Sequence, residues 1–138
     1  MIQIMTTNPQ MEIITHDPAD GVYATTDDYV HAVEVRNAQR LLFVSGTMGL
    51  DPSGAAGATL DGQLDLVWTN LRAILASAGM TVDNIVRLTS YLRDASYAEP
   101  NAAARVKALG GRTVPTTAIV VQTLVSDWLV EIEVVAAG

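Results

Sequence analysis

The chain has 138 residues, 15 acidic against 8 basic side chains, a formal charge of −7 and no cysteine. These figures exclude disulfides, zinc–thiolate and iron–sulfur sites and a cysteine nucleophile, and they weigh against nucleic acid, whose phosphates repel such a charge. With 49% hydrophobic and 17% charged residues, the chain is rich enough in apolar side chains to build one core and too poor in charge for disorder.

No apolar run approaches the roughly 20 residues of a membrane span. The opening MIQIMTTNPQ lacks the basic start and apolar stretch of a signal peptide. A cytoplasmic protein without membrane contact is the expectation. It reads as a single domain over residues 1–138, with residues 1–10 as a flexible N-terminal extension.

Residues 11–15 (MEIIT) suit an edge strand, and the His16-Asp17-Pro18-Ala19-Asp20-Gly21 stretch is loop chemistry. Residues 29–36 (YVHAVEVR) alternate, with Tyr29, His31, Val33 and Val35 on one face. Asn37-Ala38-Gln39 supplies a turn, and residues 40–45 (RLLFVS) return, so a β-hairpin is expected. Asp51-Pro52-Ser53-Gly54 has the residues of a type I turn.

A helix is expected over residues 60–78. Leu60, Leu64, Val67, Leu71, Ile74, Leu75 and Ala78 make one apolar stripe, Thr59 can cap its start, and Gly79 suits the left-handed position beyond its end. A strand at 85–92 (IVRLTSYL) follows, then an alanine-rich helix at 97–109 that stops at Gly110-Gly111. Strands at 118–124 and 128–135 finish the chain.

This order predicts an α+β mixed sheet with both helices on one face. The other face carries Arg87, Thr89, Tyr91, Glu131 and Glu133, too polar for a core. A subunit interface lined with polar clefts is the expectation.

Several segments together resemble the RidA/YjgF (Rid) superfamily over residues 11–137. They are Tyr29-Val30-His31-Ala32-Val33, Leu42-Phe43-Val44-Ser45-Gly46, the Asp51-Pro52-Ser53-Gly54 turn, Gln63, residues 70–79 (NLRAILASAG), Asn101, and Val130-Glu131-Ile132-Glu133 with Ala136. The resemblance implies a chorismate-mutase-like fold and a homotrimer with small-molecule sites between subunits. It also implies cofactor-free hydrolysis of reactive enamines and imines.

One departure bears on chemistry. Active deaminases of the superfamily carry Pro-Ala-Arg before the penultimate strand, and that arginine holds the substrate carboxylate. Here the segment reads Val114-Pro115-Thr116-Thr117-Ala118, so Thr116 or Thr117 occupies the arginine position, depending on a one-residue gap. Neither threonine can hold a carboxylate by charge, which argues against standard 2-imino acid deamination.

Glu131 matches the superfamily's site glutamate and is the candidate general base; the competing role is an ion pair with Arg87 or Arg93. His31 is the second catalytic candidate, as a group titrating near neutrality or as a structural hydrogen bonder. Tyr29 matches an aromatic that closes the ligand cleft, or is a packing tyrosine. Ser45 and Gly46 match a loop that approaches the ligand, but no nucleophile elbow surrounds Ser45, which rejects a serine hydrolase. Asn101 matches a site-lining asparagine or caps the second helix. Arg112 can swing in as a replacement anion anchor or stay solvated. Glu133 shares the face of Glu131 without an assigned role, and Trp68 and Trp128 read as packing residues.

No metal site and no cofactor are expected. The leading reading is an enamine or imine hydrolase. The alternatives are a non-catalytic metabolite-binding trimer and, last, an endoribonuclease.

Overall fold

A computed structural model describes residues 9–138. Residues 1–8 of the expected N-terminal extension lie outside the described residues. Two strands, β1 (Glu12–His16) and β2 (Ala32–Arg36), form an antiparallel ribbon. The main sheet contains β3 (Leu41–Met48), β4 (Ile85–Leu92), β5 (Thr116–Val120) and β6 (Val130–Ala137), in the spatial order β3-β6-β4-β5.

β6 runs antiparallel to both its neighbours, while β4 and β5 are parallel. Hence β3, β4 and β5 all run the same way and must be joined by crossovers. Helix α1 (Leu60–Ser77) makes the first and helix α2 (Ala98–Ala108) the second. Such crossovers have one hand, so both helices land on the same face of the sheet. The expected α+β layering is what forms.

Helix α1 begins where the Thr59 hydroxyl accepts the Gly62 N–H at 3.0 Å, and ends before Gly79 at φ +70. Its buried face is centred on Leu64, Val67, Leu71 and Leu75, so Ile74 falls at the margin. That face packs on Leu88 and Leu92 of β4 and on Val130, Ile132, Val134 and Ala136 of β6. Alternation then forces Glu131, Glu133 and Val135 of β6, and Arg87, Thr89 and Tyr91 of β4, onto the opposite face. No element among the described residues covers that face as the helices cover the other: Phe43 there is 74% exposed and Leu41 is 58% exposed.

The expected hairpin does not form. β2 pairs with β1, and β3 pairs with β6. The reason lies in the turn. The backbone N–H groups of Gln39 and Arg40 both donate to the Gly138 carbonyl, at 3.0 and 2.8 Å, and the Gly138 N–H donates to Arg40. Groups bonded to the C-terminal strand cannot also close a hairpin onto β2. Tyr29 and His31 consequently precede β2, and Val30 between them makes a single bridge to Pro115, just before β5. β5 also stops four residues before the expected end. Val121 still donates to the Leu92 carbonyl, and the chain then leaves the sheet as a loop over residues 121–129.

Two buried polar side chains hold the loops in place. Gln63, 2% exposed, donates to the carbonyls of Gly57 and Asp127 and accepts the Leu129 N–H. Arg105 of α2, 3% exposed, pairs with Asp28 at 2.5 Å and so ties the segment before β2 to the helix layer. The Thr26 hydroxyl and the Arg105 charge hold the Asp28 carboxyl below the usual carboxylate range.

Replacing Asp28 by Ala strands a buried guanidinium, which should cost about 3 kcal/mol. Thermal denaturation should show the midpoint falling by roughly 10 °C. The same pair makes stability pH-dependent in a stated direction. Because folding lowers the Asp28 pKa, its contribution is complete above the ordinary value of 3.8 and is lost as pH falls through the lowered one.

Candidate functional site

The uncovered face of the sheet gathers the chemistry. Between Val44 and Thr47, β3 advances three residues while β6 advances two, from Val134 to Ile132, so Ser45 and Gly46 form a bulge. Gly46 then lies directly beneath Glu131. A Cβ built on Gly46 would stand 2.1 Å from Glu131 Oε1 and 2.9 Å from its carboxyl carbon. Only a residue without a side chain leaves the carboxylate this seat. Ser45 is exposed beside it.

Gly46, Glu131, Glu133 and Tyr91 line an open groove of about 370 Å³, together with Gln122, Thr123 and Leu124 of the loop after β5. That is the size of a small-ligand pocket. The Tyr91 hydroxyl donates to Glu133 Oε1 at 2.5 Å. This bond, then burial and the charges of Glu133 and Glu131, raises the Tyr91 pKa above its ordinary value, with Arg87 opposing. Glu131 pairs with neither cation considered for it: Arg93 Nε donates instead to the Thr123 hydroxyl at 3.1 Å, and Arg87 forms no ion pair among the described residues.

Strand register separates the two threonines. Thr117 sits beside Thr89, which sits beside Glu133, all in one row on the uncovered face. Thr116 sits beside Leu88 and Val134, in the row that faces the helices, and its hydroxyl donates to the Val114 carbonyl at 2.8 Å. Thr117 therefore occupies the position on the open face.

The other sequence candidates fall elsewhere. Arg112 donates to the backbone carbonyls of Val82 and Ile85 at 3.0 and 2.7 Å, and burial lowers its pKa. Ile85 lies six residues along β4 from Tyr91, the strand partner of Glu131, so Arg112 is about 20 Å away along the sheet. It is not a solvated loop arginine: its donors hold the start of β4, away from that groove within one chain. Asn101 does not cap α2. It lies one turn inside the helix, 1% exposed and with Oδ1 unpartnered, while Asp94 caps the preceding short turn through Ser96.

Tyr29 and His31 form a second cluster with Tyr23. The His31 ring stands 5.0 Å from the Tyr23 ring and 6.3 Å from that of Tyr29, both edge-on. His31 Nε2 bonds the Tyr23 carbonyl at 2.7 Å, and its backbone N–H donates to Asp17. This cluster borders Pro115 and Arg87 and stands apart from the Glu131 groove within one chain. No group of three or more His, Asp or Glu side chains with metal-ligand geometry occurs among the described residues.

Tyr91 had no assigned role in the sequence reading, and Arg87 entered it only as a competing ion-pair partner for Glu131. Alternation had put both on the face of Glu131, but a single sequence does not say which of a row of polar side chains meet.

The family model for endoribonuclease L-PSP matches residues 22–138. A RutC family protein of Pyrococcus horikoshii is 30% identical over 113 residues, covering 78% of this chain and 85% of that one. The RutC family protein YjgH of Escherichia coli is 34% identical over 74 residues, 54% of this chain and 56% of the relative. The match thus spans about half the length of that relative, and the same holds for a RutC family protein of Aquifex aeolicus, at 51%. Among solved structures, the Rid family protein YyfB of Yersinia pestis superposes with a TM-score of 0.78 at 26% identity, over 91% of this chain and 98% of that one. RidA of a Psychrobacter species gives 0.68 at 25% identity over 99% and 100%.

The Tyr91 to Glu133 bond can be read directly. Glu133→Gln keeps an acceptor but removes the charge, so the Tyr91 pKa should fall back toward 10.0. Ultraviolet difference titration of the tyrosines measures this, and an unchanged curve would show that the bond is not made in solution.

Proposed function

The chain belongs to the endoribonuclease L-PSP family, the RidA/YjgF superfamily, and from that premise we propose that it hydrolyses an enamine, an imine or a related reactive intermediate, in clefts between the subunits of a homotrimer. The observation that carries this reading is the Glu131 carboxylate, seated over the Gly46 bulge on an open sheet face and unpaired by Arg87 or Arg93.

Glu131 takes a proton from water as the oxygen attacks the C=N carbon and returns it to the nitrogen, which regenerates the carboxylate. The carbon becomes a carbonyl and the nitrogen leaves as ammonia, so imine plus water balances to carbonyl plus ammonia. The Thr117 and Thr89 hydroxyls, in the row beside Glu133, orient the substrate by hydrogen bonds. Tyr29 and His31 reach this groove from a neighbouring subunit, since within one chain they sit at the Pro115 end of the sheet.

The trimer has its own support. Phe43 and Leu41 stand largely exposed on the uncovered face, and burying such side chains contributes roughly 1.5–3 kcal/mol each. Light scattering should give three times 14.7 kDa, or 44.1 kDa. A monomer at micromolar concentration overturns both the assembly and the shared cleft.

Catalysis is tested on 2-iminopropionate released by an amino-acid oxidase, with semicarbazide trapping as the clock. Glu131→Gln should lose about a hundredfold or more. Gly46→Ala keeps the base but evicts it from its seat, and should lose activity while the protein stays folded. Thr117→Arg should raise the rate on this carboxylate substrate by roughly one to three orders of magnitude. If the natural protein is inactive and none of these changes matters, the binding-only trimer replaces the enzyme.

The family's description names an endoribonuclease, but the charge of −7 opposes RNA. Fluorescence anisotropy with a single-stranded RNA at physiological salt should show no binding. A signal that weakens steeply with added salt would restore that activity to the first place.

A further inference from the structure

We propose that the groove between α1 and α2 binds a small phosphate, either the inorganic ion or the monoester of a metabolite, through Arg72, Lys107, Thr69 and Trp68. The groove holds about 200 Å³ and belongs to the helix layer, across the main sheet from Glu131. It is independent of the reading above. The assembly inferred there uses the opposite face of the sheet, so the groove stays open in it.

Helical spacing builds the site. On α1, Asp65, Trp68, Thr69 and Arg72 are linked by steps of three and four residues and share one side of the helix. On α2, the short side chains of Ala104 and Ala108 leave open the space that larger residues would fill, and Lys107 lies between them in sequence. Two cations thus reach one cleft from two elements. Neither makes a hydrogen bond or an ion pair among the described residues, whereas Arg36, Arg93, Arg105 and Arg112 are all committed. Like charges facing one groove repel, and an anion between them removes that cost. A second observation points the same way. Trp68 lines the groove, is 3% exposed, and its indole N–H is buried without an acceptor. A buried tryptophan N–H ordinarily has a partner, and an anion in this groove offers the acceptor that the chain does not.

Asp65 decides which anion. Its carboxylate lines the same groove and pairs with neither cation. Sulfate is fully ionised at neutral pH, has no proton to offer and is repelled by that carboxylate. A phosphate keeps an ionisable proton near neutrality. One of its oxygens can therefore donate to Asp65 while the others accept from the guanidinium, the ammonium, the Thr69 hydroxyl and the indole N–H. The arginine fork matches phosphate geometry, and the lysine adds a compact charge. The chain's charge of −7 opposes a long polyanion, whereas two local cations suffice for a single phosphate group.

The test reads the indole N–H signals of the two tryptophans by NMR, with Trp128→Phe to assign them. Inorganic phosphate, glycerol 3-phosphate and sulfate are titrated into the intact protein at neutral pH and constant ionic strength. Phosphate should move the Trp68 signal saturably at millimolar concentration and leave that of Trp128 in place. Arg72→Ala and Lys107→Ala remove exposed side chains, so the fold survives, and each should weaken binding about tenfold or more. Sulfate should bind at least about tenfold more weakly than phosphate, and Asp65→Asn should narrow that gap. Tighter binding of glycerol 3-phosphate than of the free ion identifies a monoester as the ligand, and the reverse order identifies inorganic phosphate. Glu131→Gln should change none of these results, which separates this site from any imine hydrolysis. No saturable shift at Trp68, or binding that survives both Arg72→Ala and Lys107→Ala undiminished, overturns the site. Sulfate binding as tightly as phosphate overturns the choice of phosphate and the part given to Asp65.

Discussion

Everything in this molecule depends on the two-residue alternation of β6. That strand lies between β3 and β4 and pairs with both. Its inward residues, Val130, Ile132, Val134 and Ala136, are 2% exposed or less and meet both flanking strands and α1. The same alternation leaves Glu131 and Glu133 no place but the far side. A slip of one residue would bury two carboxylates under the helices and expose the centre of the core. Register and site are thus one constraint.

The bulge in β3 turns that constraint into a usable geometry. An extra residue against an unbroken β6 bends the edge strand where Glu131 needs room. The missing side chain of Gly46 supplies that room. Tyr91 then binds the second glutamate, which leaves the first without a competing donor from the same strand. The groove is built by backbone register first and by side-chain choice second.

Much of this was legible in the sequence. The apolar stripe of α1, its Thr59 cap and its Gly79 stop are local signals, and the β4 limits were read to the residue. The alternation in residues 128–135 by itself puts Glu131 and Glu133 on one face. What local pattern cannot carry is which strand pairs with which. Residues 29–36 and 40–45 look like a hairpin because they alternate and a turn joins them, yet the bonds at Gln39 and Arg40 go to Gly138, about a hundred residues away. The hydrogen bonds of Arg112 escape local pattern for the same reason, since its partners at Val82 and Ile85 are distant in sequence and are backbone atoms. Which of Thr116 and Thr117 stands on the uncovered face is a matter of the β4 to β5 register, which the sequence does not print.

The place of β6 in chain order has a consequence for biosynthesis. β3, α1 and β4 leave the ribosome as a helical crossover whose two parallel strands have a vacant slot between them, and no earlier segment fills it. The nascent chain must keep that slot, and the apolar face of α1 beside it, out of contact with other chains until residue 130 onward is free. A translational pause before that point would lengthen the exposure, so synonymous codon changes in the 121–129 loop can alter soluble yield without altering one amino acid.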